Sequence, residues 1–254
     1  MLGLGNTLSG GIVPAAAAAP FTDGYSLLFD GSNDYVDIDS AAGVVNGATG
    51  SISYWVKFIG EASNYIWEIK VDSSNILYGA YNTYGEYAWA AVLAGGVFKS
   101  SNLGISLELQ GDDEWHHIVM TWIDGSGDGE LICYLDGDQD DVQTKTITGL
   151  GTFSGTPSTF KIGRLDAHPY SPMEGNINDF AVWSSMLTAN EVAAIYNSGT
   201  PIDLATDSGN YVSSGDLVGY WKFEENTGTT VADSSTNSND GTLVNGTAFE
   251  AETP

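Results

Sequence analysis

Apolar and polar residues alternate with a period of two along much of this chain. The clearest run is 51–58, where Ile52, Tyr54, Val56 and Phe58 fall on one side and Ser53, Trp55 and Lys57 on the other. Successive side chains of a strand point to opposite faces, so this pattern predicts a strand with one face turned inward. Comparable runs occupy 25–29, 35–38, 65–71, 76–81, 87–93, 159–164, 175–183, 217–223 and 242–244. Residues 115–123 and 130–135 predict a hairpin across the turn 124–129. Glycine, aspartate and asparagine punctuate the runs, as in Asp30-Gly31-Ser32-Asn33. Glycine accepts positive φ and Asx side chains bond their own backbone, which makes these segments turns. Many short strands joined by such turns predict an all-β antiparallel sandwich of the jelly-roll kind.

One segment breaks the two-residue period. Thr188 and Glu191 stand at the spacing of a capping box, in which each side chain satisfies a free N–H at the start of a helix. Leu187 can staple onto Val192, and Gly199 supplies a stop. A short helix over 189–197 is predicted, with an apolar side wide enough to seal a sandwich.

At 254 residues and 42% hydrophobic composition, the chain can bury a full core. Charge narrows its partners. Seven Lys and Arg stand against 33 Asp and Glu, for a net charge of −26. Nucleic acid and anionic membranes are excluded as partners, because both need clustered cations. The excess of carboxylates suits a salt-rich setting or bound divalent cations. Cys133 is the only cysteine, so there is no internal disulfide, and its apolar neighbours mark it as a buried strand thiol. Residues 1–22 carry no charge and include Gly3, Gly5, Gly10 and Gly11. Such a segment is read as an extended arm, either ordered along a neighbouring subunit or left as a flexible tail. Residues 23–254 are read as one domain.

Candidate chemistry is sparse. Glycoside hydrolysis with retention needs two carboxyl groups about 5 Å apart, which alternate strand positions can supply. Glu68 is the nearest candidate, but Lys70 takes the next position on its face. His116 and His117 are adjacent on a strand and point to opposite faces, so they cannot share one ion, and His168 stands alone. The acidic stretches 124–129 and 136–141 lack the glycine or the final glutamate of a calcium-binding EF-hand loop and read as hairpin turns. No catalytic residues are assigned and the chain is read as non-enzymatic. Tyr78, Tyr81, Tyr84, Tyr87 and Trp89 make the middle of the chain aromatic. They serve either as core or as a platform for sugars, and Tyr81 and Tyr84, near a predicted turn, are the ligand-binding candidates.

The stretches YSLLFDGSNDYVDI (25–38), SISYWVKF (51–58), EWHHIVMTWIDG (114–125), ELICYLDG (130–137), KIGR (161–164) and GNINDFAVWSSMLTANEVAAIYNSG (175–199) together resemble the laminin-G-like, concanavalin A-like lectin/glucanase superfamily. The resemblance implies a calcium site joining Asp30, Gly31 and Asn33 to Asp179, with Asx turns as the plainer account of the same residues. The segment 217–254 resembles the opening of such a domain, although here it comes last. A circularly permuted sandwich is implied, with this tail completing its own sheets or those of a neighbouring subunit. The arm and this layout also resemble structural proteins of marine bacteriophages. The leading expectation is therefore a virion structural protein, a capsid decoration or tail component anchored by its arm to other virion proteins or to copies of itself. The alternative is a calcium-dependent, extracellular carbohydrate-binding module, and the third reading is a glycan hydrolase.

Overall fold

A computed structural model describes residues 21–59, 64–82, 87–102, 109, 112–124, 129–137, 151–166 and 172–254. In chain order the strands are β1 (Ser26–Asp30), β2 (Tyr35–Asp37), β3 (Thr49–Phe58), β4 (Asn64–Asp72), β5 (Asn75–Asn82), β6 (Tyr87–Ala94), β7 (Val97–Asn102), β8 (His116–Ile123), β9 (Glu130–Leu135), β10 (Thr159–Ile162), β11 (Glu174–Trp183), β12 (Leu217–Trp221), β13 (Thr230–Val231), β14 (Gly241–Val244) and β15 (Ala248–Glu250). The helices are α1 (Asp39–Ala42) and α2 (Ala189–Tyr196). The strands form two antiparallel sheets. Sheet A runs β15-β1-β11-β3-β8-β9, with β12 also paired to β11, and sheet B runs β13-β14-β2-β10-β4-β5-β6-β7. The fold is an antiparallel jelly-roll sandwich. Among the described residues no helix is long and apolar enough to cross a membrane.

The alternation read from the sequence fills the space between the sheets. Ile52, Tyr54, Val56 and Phe58 of β3 face Trp67 and Ile69 of β4, Leu77 of β5 and Phe160 and Ile162 of β10 in one core cluster. Burying each such side chain contributes about 1.5–3 kcal/mol. Gly79 is required in β5 because Trp67 lies against its backbone, where a Cβ would collide with the indole.

Strand β11 is the hinge of the topology. Its first half pairs with β1, Leu27 opposite Ile177, and its second half pairs with β12, Ala181 opposite Tyr220. The change of partner falls at a bulge against β3 between Asn178 and Ala181. Asp179 occupies it with φ of 48°, a left-handed conformation that Asp tolerates better than most residues. Residues 217–254 lie in both sheets of the same chain: β12 pairs with β11, β14 with β2 and β15 with β1. They bring Trp221, Phe223, Val231 and Leu243 into the core.

The opposite side of sheet A is closed. Helix α2 begins at Thr188, whose hydroxyl accepts from Glu191 N while the Glu191 carboxylate accepts from Thr188 N, the capping box expected from the sequence. The helix ends at Asn197 with φ of 47°, two residues before Gly199. Val192 and Ile195 pack with Val119, Ile132, Tyr134, Ala181, Trp183, Leu204 and Tyr211. Val119, Ile132, Tyr134, Ala181 and Trp183 alternate with the inward-facing residues of β8, β9 and β11, so α2 and the segment after it cover the outer face of sheet A. The outer face of sheet B is where a cleft remains.

Candidate functional site

Strands β10, β4, β5, β6 and β7 set out the outer face of sheet B. Core residues Trp67 and Ile69 alternate with Glu68 and Lys70 on β4, and Leu77 alternates with Ile76 and Tyr78 on β5. The antiparallel register places Glu68 opposite Lys161 and Tyr78, and Ile76 opposite Lys70 and Leu93. Leu93 in turn faces Phe98 on β7. The result is a cleft of about 250 Å³ lined by Lys70, Ser73, Ile76, Tyr78, Leu93, Phe98 and Leu165. Phe98 is 51% exposed, and Tyr78 packs on Tyr65 with ring centroids 6.1 Å apart. Apolar walls with a few polar groups are the usual make-up of a small-ligand site.

Glu68 lies fully buried beside this cleft, and neither carboxylate oxygen has a hydrogen-bond partner among the described residues. Burial raises its pKa to about 7. Lys70 pulls the other way and the charge of Asp166 adds to the rise. The other outer-face positions next to Glu68, along β4 and across β10 and β5, hold Lys70, Lys161 and Tyr78. The geometry thus provides no carboxylate partner for Glu68 at these positions.

Tyr81 is not part of this face. It is 2% exposed and packs on Phe58 in the core, ring centroids 4.8 Å apart. The strand period places Tyr81 on the same inward face as Leu77, so the ligand-binding expectation for it is corrected to a core role. Tyr84 lies outside the described residues, as does His168. The sequence reading missed Phe98, on an edge strand with a weak pattern, and passed over Tyr78, which it counted in the aromatic group but not among the ligand-binding candidates, because 76–81 is apolar at every position.

The expected calcium set does not form one site. Asp30 pairs with Glu174 across β1 and β11, and Asp179 follows five residues later along the same strand. At about 3.3 Å per residue that separates them by roughly 16 Å. Asp30 Oδ1 accepts from Ser32 N at 2.8 Å, the Gly31 N–H donates to Met173 O at 3.0 Å, and Asn33 O accepts from Asn245 Nδ2 at 2.8 Å. These are turn contacts. Asp179 is buried elsewhere: its Oδ1 accepts from the Tyr220 hydroxyl at 2.8 Å, and Oδ2 has no partner among the described residues. Burial holds its pKa well above the usual carboxylate range. Asn178 Nδ2 donates to Asp23 Oδ1, and Glu224 accepts from the N–H groups of Gly24 and Tyr25, which ties residues 23–25 to this end of β11. The four residues do not fit a shared ion.

The two histidines are structural. His116 bridges Asp136 and Asp112 at 2.9 Å each. His117 Nε2 bonds the Ser53 hydroxyl at 2.7 Å, but the ring is buried between Trp55 and Tyr196 and its pKa is lowered to about 3 by burial. Asp136 bonds the backbone N–H of His117 and the ring of His116, so no serine–histidine–aspartate relay is assembled.

The sequence model of the concanavalin A-like lectin/glucanases superfamily, of the laminin-G type, matches residues 30–193. The chain belongs to this superfamily. Among solved structures of the concanavalin A-like fold, a heptameric SAP-like pentraxin from Limulus polyphemus superposes with a TM-score of 0.60 at 16% identity, over 92% of this chain and 98% of that one. Domain 4 of an extracellular arabinanase from Geobacillus stearothermophilus, in complex with arabinotriose, gives 0.51 at 16% identity, over 67% and 76%. The CBM40 module of Ruminococcus gnavus IT-sialidase, bound to α2,6-sialyllactose, gives 0.54 at 12% identity, over 67% and 96%. At these identities the superpositions show a shared fold and nothing more. Among curated proteins nothing matches the sequence.

Proposed function

We propose that this protein is a non-catalytic carbohydrate-binding module, acting outside the cell, that holds a glycan in the cleft on the outer face of sheet B. The observation that carries this reading is the cleft itself: Tyr78, Phe98 and Leu165 offer apolar surface to the C–H face of a sugar ring. Lys70 and Ser73 offer polar groups to its oxygens. The solved structures of the same fold that hold arabinotriose and sialyllactose support it by analogy of architecture. Lys70 stands at the next position on the face of Glu68, where a retaining hydrolase would carry its second carboxylate, and this supports binding without cleavage. We also take residues 23–254 as one domain, with 217–254 completing the sandwich.

The virion reading draws on the arm 1–22, of which 1–20 lie outside the described residues, on the permuted placement of 217–254 and on the missing catalytic carboxylates. It has no counterpart to the cleft, and carbohydrate binding is the reading we carry. The test is a glycan array probed with the full chain, once in calcium and once in EDTA. Binding to a defined set of glycans in both conditions is expected, because the cleft is not built from ion ligands. Absence of binding to any glycan overturns the proposal.

A further inference from the structure

Resting on the carbohydrate reading, we propose that the cleft selects sugars bearing a carboxylate, uronic or sialic acids, and that Lys70 recognises that charge. Cations are scarce in this chain, seven against 33 acids. Four of the six described are tied to carboxylates: Lys57 to Asp113 and Glu252, Lys161 to Asp37 and Asp39, Arg164 to Asp166, and Lys222 to Asp203. Lys70 differs. It is half-buried, lines the cleft, and makes no ion pair among the described residues. Lys99 also lacks one, but it stands opposite Val92 and so faces away from the cleft.

An ammonium left unpaired among so many carboxylates, in a wall shared with Ile76, Leu93, Phe98 and Leu165, is complementary to an anionic group on an amphipathic ligand. The apolar walls strengthen the attraction by lowering the local dielectric. Neutral sugars gain nothing from it. The protein's own field repels anions in general, so a local cation is what separates acceptance from exclusion.

Glu68 sharpens the selectivity. It sits two residues before Lys70 on the same face, about 6.6 Å along the strand. The charged and titratable groups around it are Lys70 on β4, Lys161 on β10, Arg164 and Asp166 on the segment after β10, and Tyr78 on β5. Below about pH 7, where burial keeps it mostly protonated, Glu68 does not compete with the ligand for Lys70. A bound carboxylate favours that neutral form further, so binding takes up a proton and weakens as pH rises through about 7.

The experiment is isothermal titration calorimetry on the full chain with sialyllactose against lactose and with a methyl glucuronide against the methyl glucoside. At least one acidic sugar should bind about tenfold more tightly than its neutral partner, with the gap closing in high salt. Lys70→Met should remove the preference and Lys70→Arg should keep it, both with unchanged thermal stability. Affinity for the acid should be higher at pH 6 than at pH 8.5, and Glu68→Gln should flatten that dependence. Equal binding of acidic and neutral sugars, or an acid preference that survives Lys70→Met, overturns this inference and leaves the carbohydrate reading standing. Binding of no sugar by the wild type, neutral or acidic, fails the carbohydrate reading itself.

Discussion

Trp221→Ala tests whether residues 217–254 hold the sandwich of their own chain together. Trp221 is fully buried and meets Phe160 edge-on at 5.6 Å and Phe180 at 6.4 Å, so it joins β12 to both sheets. Its Nε1 donates to Asn239 O at 3.0 Å, which also fixes the loop before β14. Truncating a buried Trp to Ala costs about 3–5 kcal/mol through lost transfer energy and the cavity left behind. The lost hydrogen bond adds about 1 kcal/mol. For a domain of this size each kcal/mol lowers Tm by roughly 2–4 °C, so a fall of about 10–20 °C is expected. The assay is thermal unfolding by circular dichroism at protein concentrations spanning a hundredfold range. The wild-type Tm should stay constant across that range, because the tail pairs within its own chain. A drop of less than about 3 °C in the variant refutes the packing argument. A Tm that climbs with concentration instead shows that the tail completes a neighbour.

Glu191→Ala should lower stability by about 2–4 kcal/mol by urea titration, since the carboxylate serves Thr188 N, the Ser213 hydroxyl and Val212 N and couples α2 to the following segment. Glu191→Gln should fall between wild type and Ala. For His116, burial opposes the charge, but the bonds to Asp136 and Asp112 outweigh it and raise the pKa above 6.5. A raised histidine pKa stabilises below the unfolded value and loses that contribution as pH rises through the folded one. His116→Gln should therefore lower Tm more at pH 6 than at pH 9.

What was legible in the sequence was local. The capping box at Thr188 and Glu191 depends on a spacing of three residues and formed as read. The alternation of 51–58 sorted the inward face of β3 because a lysine and two serines marked the other side. The same period failed at 76–81, where Ile76, Tyr78 and Ala80 are as apolar as Leu77, Gly79 and Tyr81. Nothing in that segment says which set faces the core. The pairing of Asp30 with Glu174 is set by the register of strands more than 140 residues apart, which no local pattern encodes. Closure of the outer face of sheet A by the irregular segment around Leu204 and Tyr211 has no periodicity to announce it, yet it is what leaves the outer face of sheet B as the one with the cleft.

The claim that sugars bind on that face is tested most directly by Tyr78→Ala. The measurement is the calorimetric affinity of the wild type and the variant for the strongest glycan found on the array. Loss of the Tyr78 ring from the cleft wall should weaken binding at least about tenfold, with little change in Tm because Tyr78 lies outside the core. Unchanged affinity in a folded Tyr78→Ala variant would contradict the account and place the glycan elsewhere.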